Sequence, residues 1–176
     1  MSELSIEDKF CTVLGETFDN ISVIIGELNA RGKTDINGAM VTALKQFILS
    51  RAKDYSINSF IEGSNKFWEQ IRNKDEKCML ENSHIILGEH ANKPEFSSVK
   101  LIFTSEIDHE AKSFLWDCLH ALVKLSIKYI FIERGTTVTR ENRDGKSILK
   151  VSYKKKSFHE NIDIPKCSKA WNLGLY

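Results

Sequence analysis

Thiols, imidazoles, clustered carboxylates and clustered cations are the groups in this chain that could do chemistry. Their spacing decides what each could do. The densest set is cationic: Arg134, Arg140, Arg143, Lys146, Lys150, Lys154, Lys155, Lys156, Lys166 and Lys169 follow one another near the C-terminus, interleaved with Tyr153, Phe158, Trp171 and Tyr176. Lysine and arginine neutralise phosphates, and aromatic rings stack on unpaired bases. This spacing therefore predicts contact with a polyanion, with the late aromatics Trp171 and Tyr176 as anchors for a protein partner. Two bland readings compete. One is a solvated charged edge that keeps a strand from aggregating. The other is a basic segment docked on an acidic body.

The remaining constellations carry less. Residues 26–34 run Gly, five residues, then Gly32-Lys33-Thr34, which is one residue too long for a phosphate-cradling loop and follows a helix rather than a strand. An inter-helix turn is expected there. The histidines are His84, His90, His109, His120 and His159, with no short-spaced pairs to bring four zinc ligands together. They read as surface or capping residues. Cys118 and His120 are two apart on a helix and face different directions. Cys78, Cys118 and His84 form no recognisable nucleophile motif. Glu106, Asp108 and Glu110 precede a long apolar stripe, where carboxylates cap a helix and oppose its dipole. No catalytic residue, metal site or cofactor is expected, which predicts a non-enzymatic protein.

Composition sets the frame. The 176 residues suit one domain, and 41% hydrophobic with 28% charged residues is a globular rather than a disordered balance. Cys11, Cys78, Cys118 and Cys167 are widely spaced, and the N-terminus is polar and acidic. Free thiols in a reducing, cytoplasmic setting are expected, without a signal peptide. No apolar run is long enough to span a bilayer. Net charge is +1 and conceals a split: residues 1–123 carry 13 Lys+Arg against 19 Asp+Glu, and residues 124–176 carry 12 against 5. Such asymmetry suggests that the two parts meet different surroundings, or each other.

The elements that must position these groups are mostly helical. Ile6, Phe10, Val13, Leu14, Phe18, Ile21, Ile24, Ile25 and Leu28 predict a helix from about Ser5 to Asn29, with Ser5 as N-cap and Asp8 in a capping-box-like position. A second helix is expected over 37–53, with a stripe of Ala39, Met40, Ala43, Leu44, Phe47 and Ile48. A third begins after Ser56 and is weakened at Gly63. A fourth runs from about Asp75 to Leu87 and stops at Gly88. Residues 89–96 read as a loop and 97–103 as a short helical turn. The last helix is expected over 109–132, capped by Asp108. Its apolar positions include Leu115, Cys118, Leu122, Leu125, Tyr129 and Ile132, widened by Phe114, Leu119 and Ile130. Gly135 ends it.

Beyond Gly135 the period changes to two. Thr136–Thr139 and Ser147–Tyr153 flank Asn142-Arg143-Asp144-Gly145, a hairpin signal. Lys146, Lys150, Lys154 and Lys156 share one parity, so one strand face would be cationic. A lone hairpin is marginal in water, so it should pack on the helices or order on a partner. The predicted fold is a mainly α, multi-helix bundle with a small C-terminal β-hairpin and extended tail. It divides into an acidic helical domain (1–133) and a basic segment (134–176). Phe10, Phe18, Phe47, Phe60, Trp68, Leu115, Leu119 and Leu122 are the expected core anchors.

Residues 67–76 (Phe67-Trp68-Glu69-Gln70-Ile71-Arg72-Asn73-Lys74-Asp75-Glu76) and Leu80-Glu81-Asn82 are followed by Leu115-Trp116-Asp117-Cys118-Leu119-His120-Ala121-Leu122. Over roughly 57–132 this resembles a helical module in uncharacterised proteins of nucleocytoplasmic large DNA viruses. Cys78-Met79 departs from the paired phenylalanines of that pattern. The resemblance implies an α-helical fold and a viral setting, in the host cytoplasm or the virion, and carries over no functional residue. Two functions stand as expectations. One is an interaction or structural protein, such as an assembly component or adaptor with a protein partner or a second copy of itself. The other is a nucleic-acid-binding protein acting through the basic segment. No membrane partner is expected.

Overall fold

The computed structural model describes residues 2–94, 99–103, 107–152 and 159–176. The chain is mainly α-helical with one two-stranded antiparallel hairpin near the C-terminus. It divides into two compact units, Met1–Val123 and Lys124–Tyr176, a boundary that falls within the longest C-terminal helix and coincides with the charge split.

In the first unit, α1 (Ile6–Ala30) starts where the cap signal places it: Ser5 Oγ accepts from the Asp8 backbone N–H and donates to the Asp8 carboxylate. Its stripe is buried from Phe10 through Leu28 except at half-buried Val13. The glycine-lysine fragment is a turn, as expected. The N–H groups of Arg31, Gly32 and Lys33 are all committed to carbonyls of Glu27, Asn29 and Leu28, so none is left to cradle a phosphate. Helix α2 (Gly38–Leu49), capped by Asn37, buries Val41 and Leu44. Phe47, expected in the core, is 46% exposed, because the packing face runs through Val41 and Leu44 rather than Ala39, Ala43 and Phe47.

Helix α3 (Lys53–Ser64) begins earlier than Ser56 and breaks just past Gly63 into a 3-10 turn (Asn65–Phe67) and the short α4 (Trp68–Arg72). Trp68 locks that break by donating its indole N–H to the buried Ser64 hydroxyl at 2.9 Å. The single helix expected over 75–87 is two: α5 (Glu76–Glu81), capped by Asp75, and α6 (His84–Leu87). Asn82 separates them, with non-helical backbone and its amide returned to the Cys78 carbonyl at 2.8 Å. A 3-10 turn (Gly88–Asn92) occupies part of the expected loop, and another (Val99–Phe103) part of the expected helical turn; Ser97 and Ser98 lie outside the described residues.

Helix α7 (His109–Glu133) buries Leu115, Trp116, Cys118, Leu119, Leu122 and Val123 within the first unit. Asp108 caps its start by accepting from the Glu110 N–H at 3.4 Å. Phe114 and Ile132, assigned to the stripe by spacing, are 46% and 62% exposed. All four cysteines sit on helices as free thiols, and burial raises each thiol above its ordinary pKa. No helix among the described residues is long and apolar enough to cross a membrane.

Candidate partner-binding surface

The second unit positions the basic segment. The end of α7 supplies Ser126, Ile127 and Ile130, and Arg134 follows directly after it, all buried. Gly135 follows at φ 57°, the left-handed conformation that turns the chain out of the helix. Strands β1 (Thr137–Arg143) and β2 (Lys146–Ser152) then pair with Arg143 opposite Lys146 and Thr137 opposite Ser152. Asp144 and Gly145 form the two-residue turn at φ 51° and 76°, which a twisted hairpin requires. Residues 159–163 lead into α8 (Ile164–Ala170), capped by Asp163, and Ile164, Ser168 and Trp171 are buried.

The predicted cationic set divides three ways. Arg140, Arg143, Lys146 and Lys150 on the hairpin, and Lys166 and Lys169 on α8, are exposed. Arg134 is 5% exposed and is a structural clasp rather than a surface cation: its guanidinium donates to the Ile162 carbonyl at 3.1 Å and to the His159 carbonyl. Trp171, read as a partner anchor, is 6% exposed, and Tyr176 is half-buried with its ring edge-on to Phe131 at 5.6 Å. His159, read as a surface residue, is also buried. Lys154, Lys155 and Lys156, with Tyr153 and Phe158, lie outside the described residues.

On the hairpin, the register puts Arg143, Lys146, Lys150, Glu141 and Ile148 on one face and Arg140, Leu149, Val138 and Val151 on the other. Both faces are open to solvent: Ile148 is 46% and Leu149 45% exposed, one on each side. Only Val138, Glu141 and Val151 are half-buried. Along the hairpin, therefore, only positions near its base and Glu141 lose solvent. The ion pairs run to Glu141 of the same hairpin, from Arg143 at 3.3 Å and Lys150 at 4.0 Å. One carboxylate thus serves two cations. Arg143 and Lys146 are direct cross-strand neighbours, an arrangement of like charges that destabilises a hairpin by a few tenths of a kcal/mol or more.

Among the described residues, no group of three or more His, Cys, Asp or Glu side chains is arranged to hold a metal ion. His120 is tied through Nε2 to the Ile71 carbonyl at 2.8 Å, and His84 lies edge-on to Phe67. One feature had no sequence signal: a cleft of about 480 Å³ within the first unit, whose mouth carries Phe47, Arg51 and Tyr55. No known protein family, curated protein or solved structure matches the chain.

Proposed function

We propose that this is a binding protein without catalytic activity, and that its basic hairpin engages the phosphates of a nucleic acid. The observation that carries the reading is the exposed face bearing Arg143, Lys146 and Lys150, with Arg143 and Lys146 in cross-strand register. Among the described residues, the ion pairs of this crowded face run to a single carboxylate, Glu141. A phosphate placed between Arg143 and Lys146 converts their repulsion into charge-assisted hydrogen bonds. A two-stranded ribbon also has the width that the major groove of a duplex accepts. The test is fluorescence anisotropy with a labelled duplex and a labelled single strand at low salt. Binding that is lost on K146E/K150E supports the reading, and undiminished binding in that variant rejects it.

A second reading is a protein partner, as in an assembly component or adaptor, including a second copy of the chain. Half-exposed Ile148 and Leu149 favour it, because each offers an apolar contact on its own face of the ribbon. Ile148→Ser with Leu149→Ser would then abolish partner binding while leaving oligonucleotide affinity nearly unchanged. A viral setting, in the host cytoplasm or the virion, is part of this proposal through the resemblance of residues 57–132 alone.

A further inference from the structure

The cleft of the first unit lies between α2, α3 and the α6–Asn92 stretch. Its volume of about 480 Å³ is in the range of small-molecule sites. Buried side chains of Leu14, Phe18, Phe60 and Leu87 make its floor apolar. The mouth is different. Phe47 and Tyr55 are 46% and 48% exposed, and the Arg51 guanidinium lies over both rings, 4.8 and 5.1 Å from their centroids.

Stacking uses the faces of a guanidinium and leaves its N–H edge available for a planar anion. Arg51 has no carboxylate partner among the described residues. The two rings thus hold its cation in place at the rim of an apolar recess. His90 adds a second group, since its buried Nδ1 has no hydrogen-bond partner among the described residues while its ring packs edge-on to Phe47 at 5.8 Å. A smaller recess of about 310 Å³ shares Phe47 and His90 and adds Lys93 to the rim. Among the described residues of the lining, Glu62 is the one carboxylate set against these cations.

From this arrangement we infer that the cleft is a binding site for a small amphipathic anion, with its apolar body on the Leu14–Phe18–Phe60 floor and its anionic head on the N–H edge of Arg51. A free acyl or aryl carboxylate has this chemistry. Phe47 and Tyr55 serve as the positioning residues that hold the guanidinium.

The full chain is titrated with 1-anilinonaphthalene-8-sulfonate, an aryl anion, and in parallel with uncharged N-phenyl-1-naphthylamine. The inference predicts one saturable site for the sulfonate, displaced by decanoate and only weakly by decanol. Arg51→Gln should weaken the sulfonate by about tenfold or more, the loss of a charge-assisted hydrogen bond, and leave the uncharged probe within about twofold. Ser59→Trp, at an exposed position of the lining, should exclude both probes. Arg51 is also exposed, so its variant removes no core packing, and an unchanged cooperative thermal transition checks the fold. Sulfonate binding that survives Arg51→Gln unchanged, or no saturable site at all, overturns the inference.

Discussion

Arg134 offers the sharpest test of how the second unit is built, because composition makes it a phosphate contact and the fold makes it a clasp. In Arg134→Ala the carbonyls of Ile162 and His159 lose their guanidinium donor. Leaving a buried acceptor unsatisfied costs about 1–3 kcal/mol, so the two together, one buried and one part-buried, cost about 2–6 kcal/mol at most. A unit of about 50 residues is stable by only about 3–8 kcal/mol. The substitution should therefore remove much of the stability of residues 124–176 while leaving the first unit folded. The assay is hydrogen exchange on the full chain, read at amides of the α8 region. Trp171 N–H donates to the Cys167 carbonyl at 2.9 Å and Leu173 N–H to the Ser168 carbonyl at 3.0 Å. Protection at both should fall by about 30-fold or more, the smallest change that 2 kcal/mol allows, with α1 unaffected. Arg134→Lys should recover only part of the loss, since an ammonium cannot reproduce the planar fork. Unchanged protection in Arg134→Ala would refute the clasp and return Arg134 to the list of surface cations.

Much of the fold was legible because local and tertiary signals agree. Helix α1 has a cap, a three-four stripe and a terminating glycine turn, all observed. The hairpin was legible from Asp144-Gly145, whose positive φ angles few other pairs accept. Division of the 75–87 helix was not, because Met79 on α5 and Ile85 and Leu87 on α6 are buried by separate short segments, and no periodicity reveals that. Phe47 was misplaced because α2 has more apolar positions than its buried face can use. Arg134 and Trp171 were misplaced because composition counts charges and rings without their burial. Arg134 does carry a signal, since it continues the buried Ile127–Ile130 stripe at helical spacing. The cleft around Arg51 depends on four segments meeting in space, which spacing along one helix cannot show.

Two further outcomes follow from titrating groups. Burial raises all four cysteine thiols, so iodoacetamide at pH 8 should modify the native chain slowly and the denatured chain fast, with buried Cys118 reacting last; because folding disfavours these thiolates, stability should also fall as pH rises through the ordinary thiol range, and rapid native labelling of Cys118 would contradict this. The Asp8 carboxylate is held below its ordinary pKa by Lys53 first and then by Ser5. Its contribution is present above the unfolded carboxylate pKa and is lost as pH falls through the lower folded value. Urea unfolding of Asp8→Asn should therefore show a shallower loss of stability in acid than the natural chain, by a small amount because the pair is exposed, and an identical acid limb would contradict the assignment.

The central claim is that the hairpin face neutralises phosphates, and the salt dependence of oligonucleotide binding tests it most directly. Arg143, Lys146 and Lys150 together predict a slope of log K against log salt of at least about −2.7 on duplex DNA, which is about a fortyfold loss of affinity between about 50 and 200 mM. Lys146→Gln with Lys150→Gln removes two contacts and should make the slope shallower by about 1.8. A slope that does not change in the double variant, or no binding at about 50 mM, would contradict the account.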